Sequence, residues 1–140
     1  MIKELALKDF TGNWSIQRSI DDRRANAEGK FEGEAVFSEE GAGLLYEESG
    51  ILTLGDIASM HASQKFHWQP DGRDVAVYFS DGRYFHGITL EERADDRHIC
   101  DPDRYEVTYD FSAWPVWTTR WKVKGPKKDY TMRSTFVRNN

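Results

Sequence analysis

Several side chains that can bind or act on a small molecule share strand positions that would face one side of a sheet. A guanidinium, a carboxylate and an imidazole lie among aromatic rings, and such a mixture fixes a polar group inside an apolar pocket. We therefore expect a ligand-binding site without a metal or cofactor, formed by Arg18, Glu48, Phe66, His86, Tyr109 and Trp121.

Arg18 and Glu48 are the charged members of this set. A buried charge is costly unless it is paired, so these two residues either satisfy each other or meet a polar group of a ligand. His86 changes its charge near neutral pH. It can act as a proton carrier, as a hydrogen-bond donor to a ligand, or as an ordinary core histidine.

Two kinds of chemistry would use His86. With Glu48 it can form an acid–base pair for an isomerase or a lyase that dehydrates a small hydrophobic substrate, provided that both groups reach one reacting atom. As an inward-facing histidine it also leaves haem binding open. The chain has no nucleophile elbow, phosphate-binding loop or zinc-protease motif, so no catalytic residue is assigned.

A metal site near His98, Cys100 and Asp103 is a weaker hypothesis. A closed zinc site needs about four ligands, and these residues supply fewer. We expect no metal here, and we expect Cys100 to be a small buried apolar side chain.

Alternation of apolar and polar residues predicts the elements that position these side chains. Asp81-Gly82 is a strong hairpin signal because both residues tolerate positive φ. Residues 21–24 and 91–96 are expected to be solvated loops. The ten predicted strands cover residues 13–20, 28–37, 43–54, 60–69, 74–80, 83–90, 97–100, 104–111, 117–124 and 129–137.

Short connections and the lack of long helical patterns favour one all-β domain over residues 1–140. We predict a closed antiparallel up-and-down barrel of about ten strands, preceded by a short helix or turn, because closure removes exposed sheet edges. Strand parity places Arg18, Glu48 and His86 on the inside. It places Phe85, the neighbour of His86, on the outside.

Composition excludes several classes of function. The net charge of -5 over 140 residues argues against a nucleic-acid groove, which needs a basic face. No apolar run reaches the roughly 20 residues of a membrane-spanning helix. Residues 1–10 lack the apolar core of a signal peptide, and one cysteine cannot form an internal disulfide. We therefore expect a cytoplasmic protein. The basic run at 122–128 predicts a solvated turn.

The segment Phe10-Thr11-Gly12-Asn13-Trp14 resembles the Gly-x-Trp opening of the lipocalin and fatty-acid-binding superfamily, the calycins. That resemblance implies that Trp14 plugs the barrel base and that a late basic residue packs across it, which by location is Arg133. The segments 79–86, 100–105 and 121–130 resemble a bacterial family of unknown function with a lipocalin-like barrel. The resemblance implies the fold and no activity.

The leading hypothesis is therefore a barrel that binds a small amphiphilic or aromatic molecule. The enzyme with the Glu48/His86 pair is one alternative. Another is a structural or interaction protein with a filled core, which would pair through an outward patch at Trp114-Pro115-Val116 and form a homodimer.

Overall fold

The computed structural model describes residues 4–56 and 59–139. A 3₁₀ helix, Leu7–Phe10, is followed by ten strands, which confirms the predicted helix or turn and the predicted strand count. The strands are β1 (Gly12–Asp22), β2 (Ala27–Glu40), β3 (Gly43–Leu54), β4 (Met60–Asp71), β5 (Asp74–Phe79), β6 (Tyr84–Ile88), β7 (Arg93–Cys100), β8 (Asp103–Asp110), β9 (Trp117–Gly125) and β10 (Lys128–Arg138).

The ten strands form one antiparallel sheet in the order β6-β5-β4-β3-β2-β1-β10-β9-β8-β7. Each strand therefore pairs with its neighbours in sequence except between β6 and β7, and β1 pairs with β10 to curl the sheet into a nearly closed barrel. This confirms the predicted all-β up-and-down architecture. Within the described residues, β6 and β7 form the two ends of the sheet. The backbone amide of Gly87 in β6 donates a hydrogen bond to Asp96 Oδ2 in β7 at 2.7 Å.

Two predicted loops are shorter than expected. β7 begins at Arg93 because the 93–96 backbone pairs with β8, from Arg93 opposite Asp110 to Asp96 opposite Val107. The sequence did not predict this part of the strand, because its residues are mostly charged and Ala94 is the only buried position of β7. β1 also continues to Asp22 and leaves a tight turn before β2.

Aromatic rings fill one end of the barrel. Phe10 from the 3₁₀ helix lies at their centre, with its ring 5.4 Å from Trp68 and 5.5 Å from Trp117. The Trp14 indole N–H donates to the Phe10 carbonyl at 2.8 Å, which fixes the helix across the opening. These rings are almost fully buried, so this end of the barrel is closed.

Arg138, and not Arg133, packs across Trp14. The Arg138 guanidinium lies 4.2 Å from the centre of the Trp14 ring. It donates to the carbonyl of Asp9 in the 3₁₀ helix and to that of Thr11, which caps the helix. The expectation for Arg133 was wrong because strand parity turns it outward, where it is exposed, whereas Arg138 lies directly opposite Trp14 in the β1–β10 register.

Trp114 is also part of this closed end. Its ring is half-buried, 4.9 Å from the Phe10 ring and 5.6 Å from the Trp14 ring. The segment 114–116 is therefore only partly outward, because Pro115 is exposed while Trp114 and Val116 are half-buried. Pairing of two copies through this segment stays a prediction. Among the described residues there is no helix with the length and hydropathy needed to cross a membrane.

Candidate functional site

A cavity of about 210 Å³ lies inside the barrel beyond the aromatic end. The cavity is lined by all six residues that we predicted from the sequence: Arg18, Glu48, Phe66, His86, Tyr109 and Trp121. Strand alternation on β1, β3, β4, β6, β8 and β9 directs them inward. The structure thus brings these residues around one space, and their role in holding a ligand stays a prediction.

Arg18 and Glu48 pair with each other. Arg18 Nη1 donates to Glu48 Oε2 at 2.7 Å, and Nη2 donates to Oε1 at 3.1 Å. Arg18 Nε also donates to Ser134 Oγ at 2.6 Å. The guanidinium lies 4.9 Å from the centre of the Phe31 ring. Two-point geometry of this kind is the stronger form of an ion pair.

Two further groups complete the shell of the Glu48 carboxylate. The Tyr46 hydroxyl donates to Oε1, and Gln64 Nε2 donates to Oε2 at 2.9 Å. Burial by itself would raise the pKa of Glu48, but these hydrogen bonds and the Arg18 charge outweigh it and hold the pKa below its ordinary value. Glu48 is therefore a carboxylate with both oxygens occupied.

Two cross-strand glycines make room for this pair. Gly33 of β2 lies opposite Gly50 of β3, and a Cβ at Gly33 would stand 2.2 Å from the Ser49 carbonyl oxygen and 2.9 Å from the Phe31 ring. The Phe31 ring covers the glycines on the inside, where it meets Arg18. Glycine is needed here for the close approach of ring and backbone.

His86 and Tyr109 form the second polar group of the cavity. His86 Nε2 and the Tyr109 hydroxyl are 2.9 Å apart. Burial lowers the pKa of His86 from 6.5 to about 3, and burial likewise raises the pKa of Tyr109. Both groups are therefore uncharged at neutral pH. Among the described residues, His86 Nδ1 and Trp117 Nε1 are the buried side-chain atoms without a hydrogen-bond partner.

Phe85 is a lining residue that the alternation of the sequence missed. The β5–β6 register shifts so that Val77 pairs with His86 and Tyr78 with Tyr84, which leaves Phe85 as the extra residue of a bulge. A bulge lets two consecutive side chains face the same side. Phe85 is 7% exposed and stacks on Phe79 and Trp121 at 4.3 and 5.1 Å. The expectation that Phe85 faces outward was wrong.

Three aromatic rings lie nearly parallel to the Phe85 ring. The planes of Phe66, Phe79 and Trp121 differ from the Phe85 plane by 28°, 21° and 17°. Gln64 is exposed to solvent and also lines the cavity, so it lies where the cavity opens. The site is a cavity lined on one side by this ring stack, with polar groups of Arg18, Glu48 and His86 also in its wall.

The suspected metal ligands do not converge. His98 is half-buried among rings, 5.3 Å from Phe85 and 6.0 Å from Tyr105. Cys100 lies at the turn into β8 and is exposed, so the expectation that it is buried was wrong. Within residues 4–56 and 59–139, no three His, Cys, Asp or Glu side chains come close enough to hold a metal ion.

Comparison with known proteins places this barrel in a family. A family of unknown function, DUF6314, matches residues 10–138. The chain belongs to the DUF6314 family. This confirms the expected family of unknown function with a lipocalin-like barrel, and no curated protein matches the chain.

Two solved structures share the fold of this DUF6314 protein. One is the S-type phycobiliprotein lyase CPES from Guillardia theta, with a TM-score of 0.67 and 12% identity over 97% of this chain and 94% of that one. The other is a DUF3598 protein of unknown function from Nostoc punctiforme, with a TM-score of 0.66 and 10% identity. The second match covers 99% of this chain and 51% of that chain. At these identities the likeness shows the fold alone.

Proposed function

We propose that this protein binds a small, flat, uncharged aromatic molecule, or the aromatic body of an amphiphile, inside the barrel. The observation that carries the proposal is the cavity of about 210 Å³ left open beside the Phe85–Trp121 ring stack. Flat apolar ligands gain from offset stacking on such rings. A core that served stability alone would gain by filling this space.

The electrostatics of the wall favour an uncharged ligand. The charges of Arg18 and Glu48 cancel, and His86 is neutral. An ionic head entering the cavity would lose its hydration without finding a free counter-charge. A hydroxyl or carbonyl group on the ligand suits this wall better, since hydrogen bonds to the polar cluster replace those to water.

The size of the cavity restricts the ligand further. Pockets for drug-sized molecules occupy roughly 300–1,000 Å³, and this cavity is smaller. A ligand of one or two fused rings is the natural occupant. A larger molecule would have to extend past Gln64 into solvent.

The acid–base alternative has less support from the same geometry. Both Glu48 oxygens are occupied by donors, and its lowered pKa keeps it ionised, so it has no proton to donate at neutral pH. A histidine with a pKa of about 3 is a weak base. The lyase with the same barrel shows that the fold serves an enzyme elsewhere.

The exposed free Cys100 suits a reducing compartment and supports a cytoplasmic location.

Native mass spectrometry of freshly purified protein is the first test. A bound ligand would add mass to the native protein that disappears on denaturation, and its value would define the chemical class. The second test is titration with 2-naphthol, an uncharged fluorescent dye of two fused rings with one hydroxyl group. We expect saturable binding, with weaker binding of its anionic analogue 2-naphthol-6-sulfonate.

A pair of variants locates the dye. Gln64→Trp narrows the opening of the cavity, and Ser63→Trp places the same bulk on the exposed outer side of β4. We expect dye affinity to fall by about tenfold or more in Gln64→Trp, the loss of roughly 1.4 kcal/mol, and to stay unchanged in Ser63→Trp. Equal affinity in both variants, with no bound mass in the native protein, would contradict the proposal.

A further inference from the structure

The outer surface of β7–β10 has a charge opposite to that of the whole chain. Its outward positions hold seven Lys or Arg residues and four Asp or Glu residues, in a protein with a net charge of -5. The cations are Arg93, Arg97, Arg104, Arg120, Lys122, Lys124 and Arg133, and the carboxylates are Asp95, Glu106, Asp110 and Asp129. We call this surface the basic face.

Arg120 and Arg133 are the most unusual pair on the basic face. They lie directly opposite each other on β9 and β10. Like charges in directly opposed cross-strand positions destabilise a sheet. Within the part of the chain that the structure describes, neither guanidinium forms an ion pair or a side-chain hydrogen bond. The fold therefore keeps a repulsive pair that it does not neutralise.

An open groove runs across this pair. Arg93, Arg120 and Arg133 line it together with the hydroxyl-bearing residues Thr108, Thr118 and Thr135. The planar guanidinium of arginine can donate two parallel hydrogen bonds to one carboxylate. Threonine hydroxyls can bond to the peptide groups of an extended chain lying in the groove.

Carboxylates distinguish this groove from a nucleic-acid site. Asp110 lies in the groove beside Arg93 and lies opposite it on the neighbouring strand. Asp95 occupies the same row as Arg120 and accepts a hydrogen bond from Thr108 at 2.7 Å. A continuous phosphate backbone would meet these negative charges. A polypeptide with spaced acidic residues can place its carboxylates at the arginines and avoid the aspartates.

We propose that the basic face of β7–β10 docks an acidic polypeptide segment of a partner protein, with Arg120 and Arg133 as its principal anchors. The surface is on the outside of the barrel, and its anchors Arg120 and Arg133 do not line the cavity. It thus gives the protein a partner-binding role independent of any ligand inside.

The test measures fluorescence anisotropy of a labelled peptide of alternating glutamate and serine at low ionic strength. We expect the wild-type protein to bind it and Arg120→Gln/Arg133→Gln to weaken binding by about fivefold or more, since exposed charge pairs contribute modestly each. The control Lys30→Gln/Lys65→Gln removes the same charge from β2 and β4 on the opposite surface. It should change affinity by less than about twofold.

Thermal unfolding of the same variants separates docking from structural support. Removal of the opposed arginines should leave the melting temperature equal or higher, because it relieves repulsion, while peptide binding falls. Three outcomes would overturn the proposal. They are no peptide binding at low ionic strength, equal loss in the control variant, or tighter binding of a single-stranded oligonucleotide of matched charge.

Discussion

Arg18 and Glu48 form their ion pair across an intervening strand. Arg18 lies on β1 and Glu48 on β3, and β2 lies between them in the sheet. On the inner side of β2, Phe31 lies opposite Arg18, Ala35 lies opposite Glu48, and Gly33 lies between them. A Cβ at Gly33 would meet the Ser49 carbonyl oxygen and the Phe31 ring, which lies against the Arg18 guanidinium. The glycine at this position therefore lets the ring that supports the guanidinium pack closely on the sheet.

Breaking this ion pair should be costly, and removing it whole should not. Arg18→Met leaves the buried Glu48 carboxylate without its counter-charge and should lower the free energy of unfolding by about 3–5 kcal/mol. Arg18→Met/Glu48→Leu should cost clearly less, because no unpaired charge remains. Urea unfolding measures both. A double variant as unstable as the single one would show that the pair itself supplies net stability.

Acid should destabilise the protein through His86 before it acts on Glu48. The pKa of His86 is lowered from 6.5 to about 3 in the folded state. As the pH falls below 6.5, this histidine therefore becomes protonated in the unfolded state but stays neutral in the folded state. Stability should therefore fall from about pH 6.5 downward. His86→Gln should flatten this fall above pH 4.5, while exposed His61→Gln should keep it. Unfolding midpoints measured against pH test this, and identical slopes in all three proteins would contradict it.

Glu48 should contribute its own acid sensitivity at lower pH. The folded pKa of Glu48 is depressed below its ordinary value of 4.5, so its contribution to stability is present above that pH and is lost as the pH falls through the folded value. Arg18→Met should reduce this dependence, because it removes the main cause of the depression. Urea unfolding between neutral and acid pH distinguishes this loss from that of His86. An unchanged slope below pH 4.5 in the variant would contradict the assignment.

A methyl group at Gly33 should disturb the wall beneath Arg18. Gly33→Ala places a Cβ 2.2 Å from the Ser49 carbonyl oxygen, and we expect a loss of about 1–3 kcal/mol in unfolding free energy from overpacking. Gly87→Ala is the matched control, since its Cβ would come no closer than 3.3 Å to any other atom, the nearest being the Tyr84 hydroxyl. Equal losses in the two variants would argue against the close approach at Gly33.

The two late arginines should differ in their effects on stability. Arg138→Ala removes the guanidinium stacked on Trp14 together with its bonds to the Thr11 and Asp9 carbonyls. We expect it to lower the unfolding free energy by about 1–3 kcal/mol. Arg133→Ala removes an exposed side chain and should change stability by less than about 0.5 kcal/mol. Thermal or urea unfolding tests this, and the reverse order would restore the sequence-based assignment to Arg133.

The strand pattern and six of the side chains that line the cavity could be predicted from the sequence. Apolar and polar residues alternate clearly on most strands, and the parity of one clear residue fixes its whole strand. That parity is sufficient to place Arg18, Glu48, Phe66, His86, Tyr109 and Trp121 inside the barrel. Turn residues such as Asp81-Gly82 locate the hairpins because they depend on local backbone geometry.

Only the tertiary structure determined how the strands align and which side chains contact each other across them. Alternation cannot reveal the bulge that turns Phe85 inward beside His86, because a bulge depends on how two strands align. Alternation along β10 turns Arg133 outward, but the position of Arg138 opposite Trp14 depends on the β1–β10 register. The contact of Arg18 with Glu48 across β2, and the cavity that remains beside them, depend on packing of residues distant in sequence. Local sequence therefore determines which side a residue faces, and only the assembled barrel determines what it meets there.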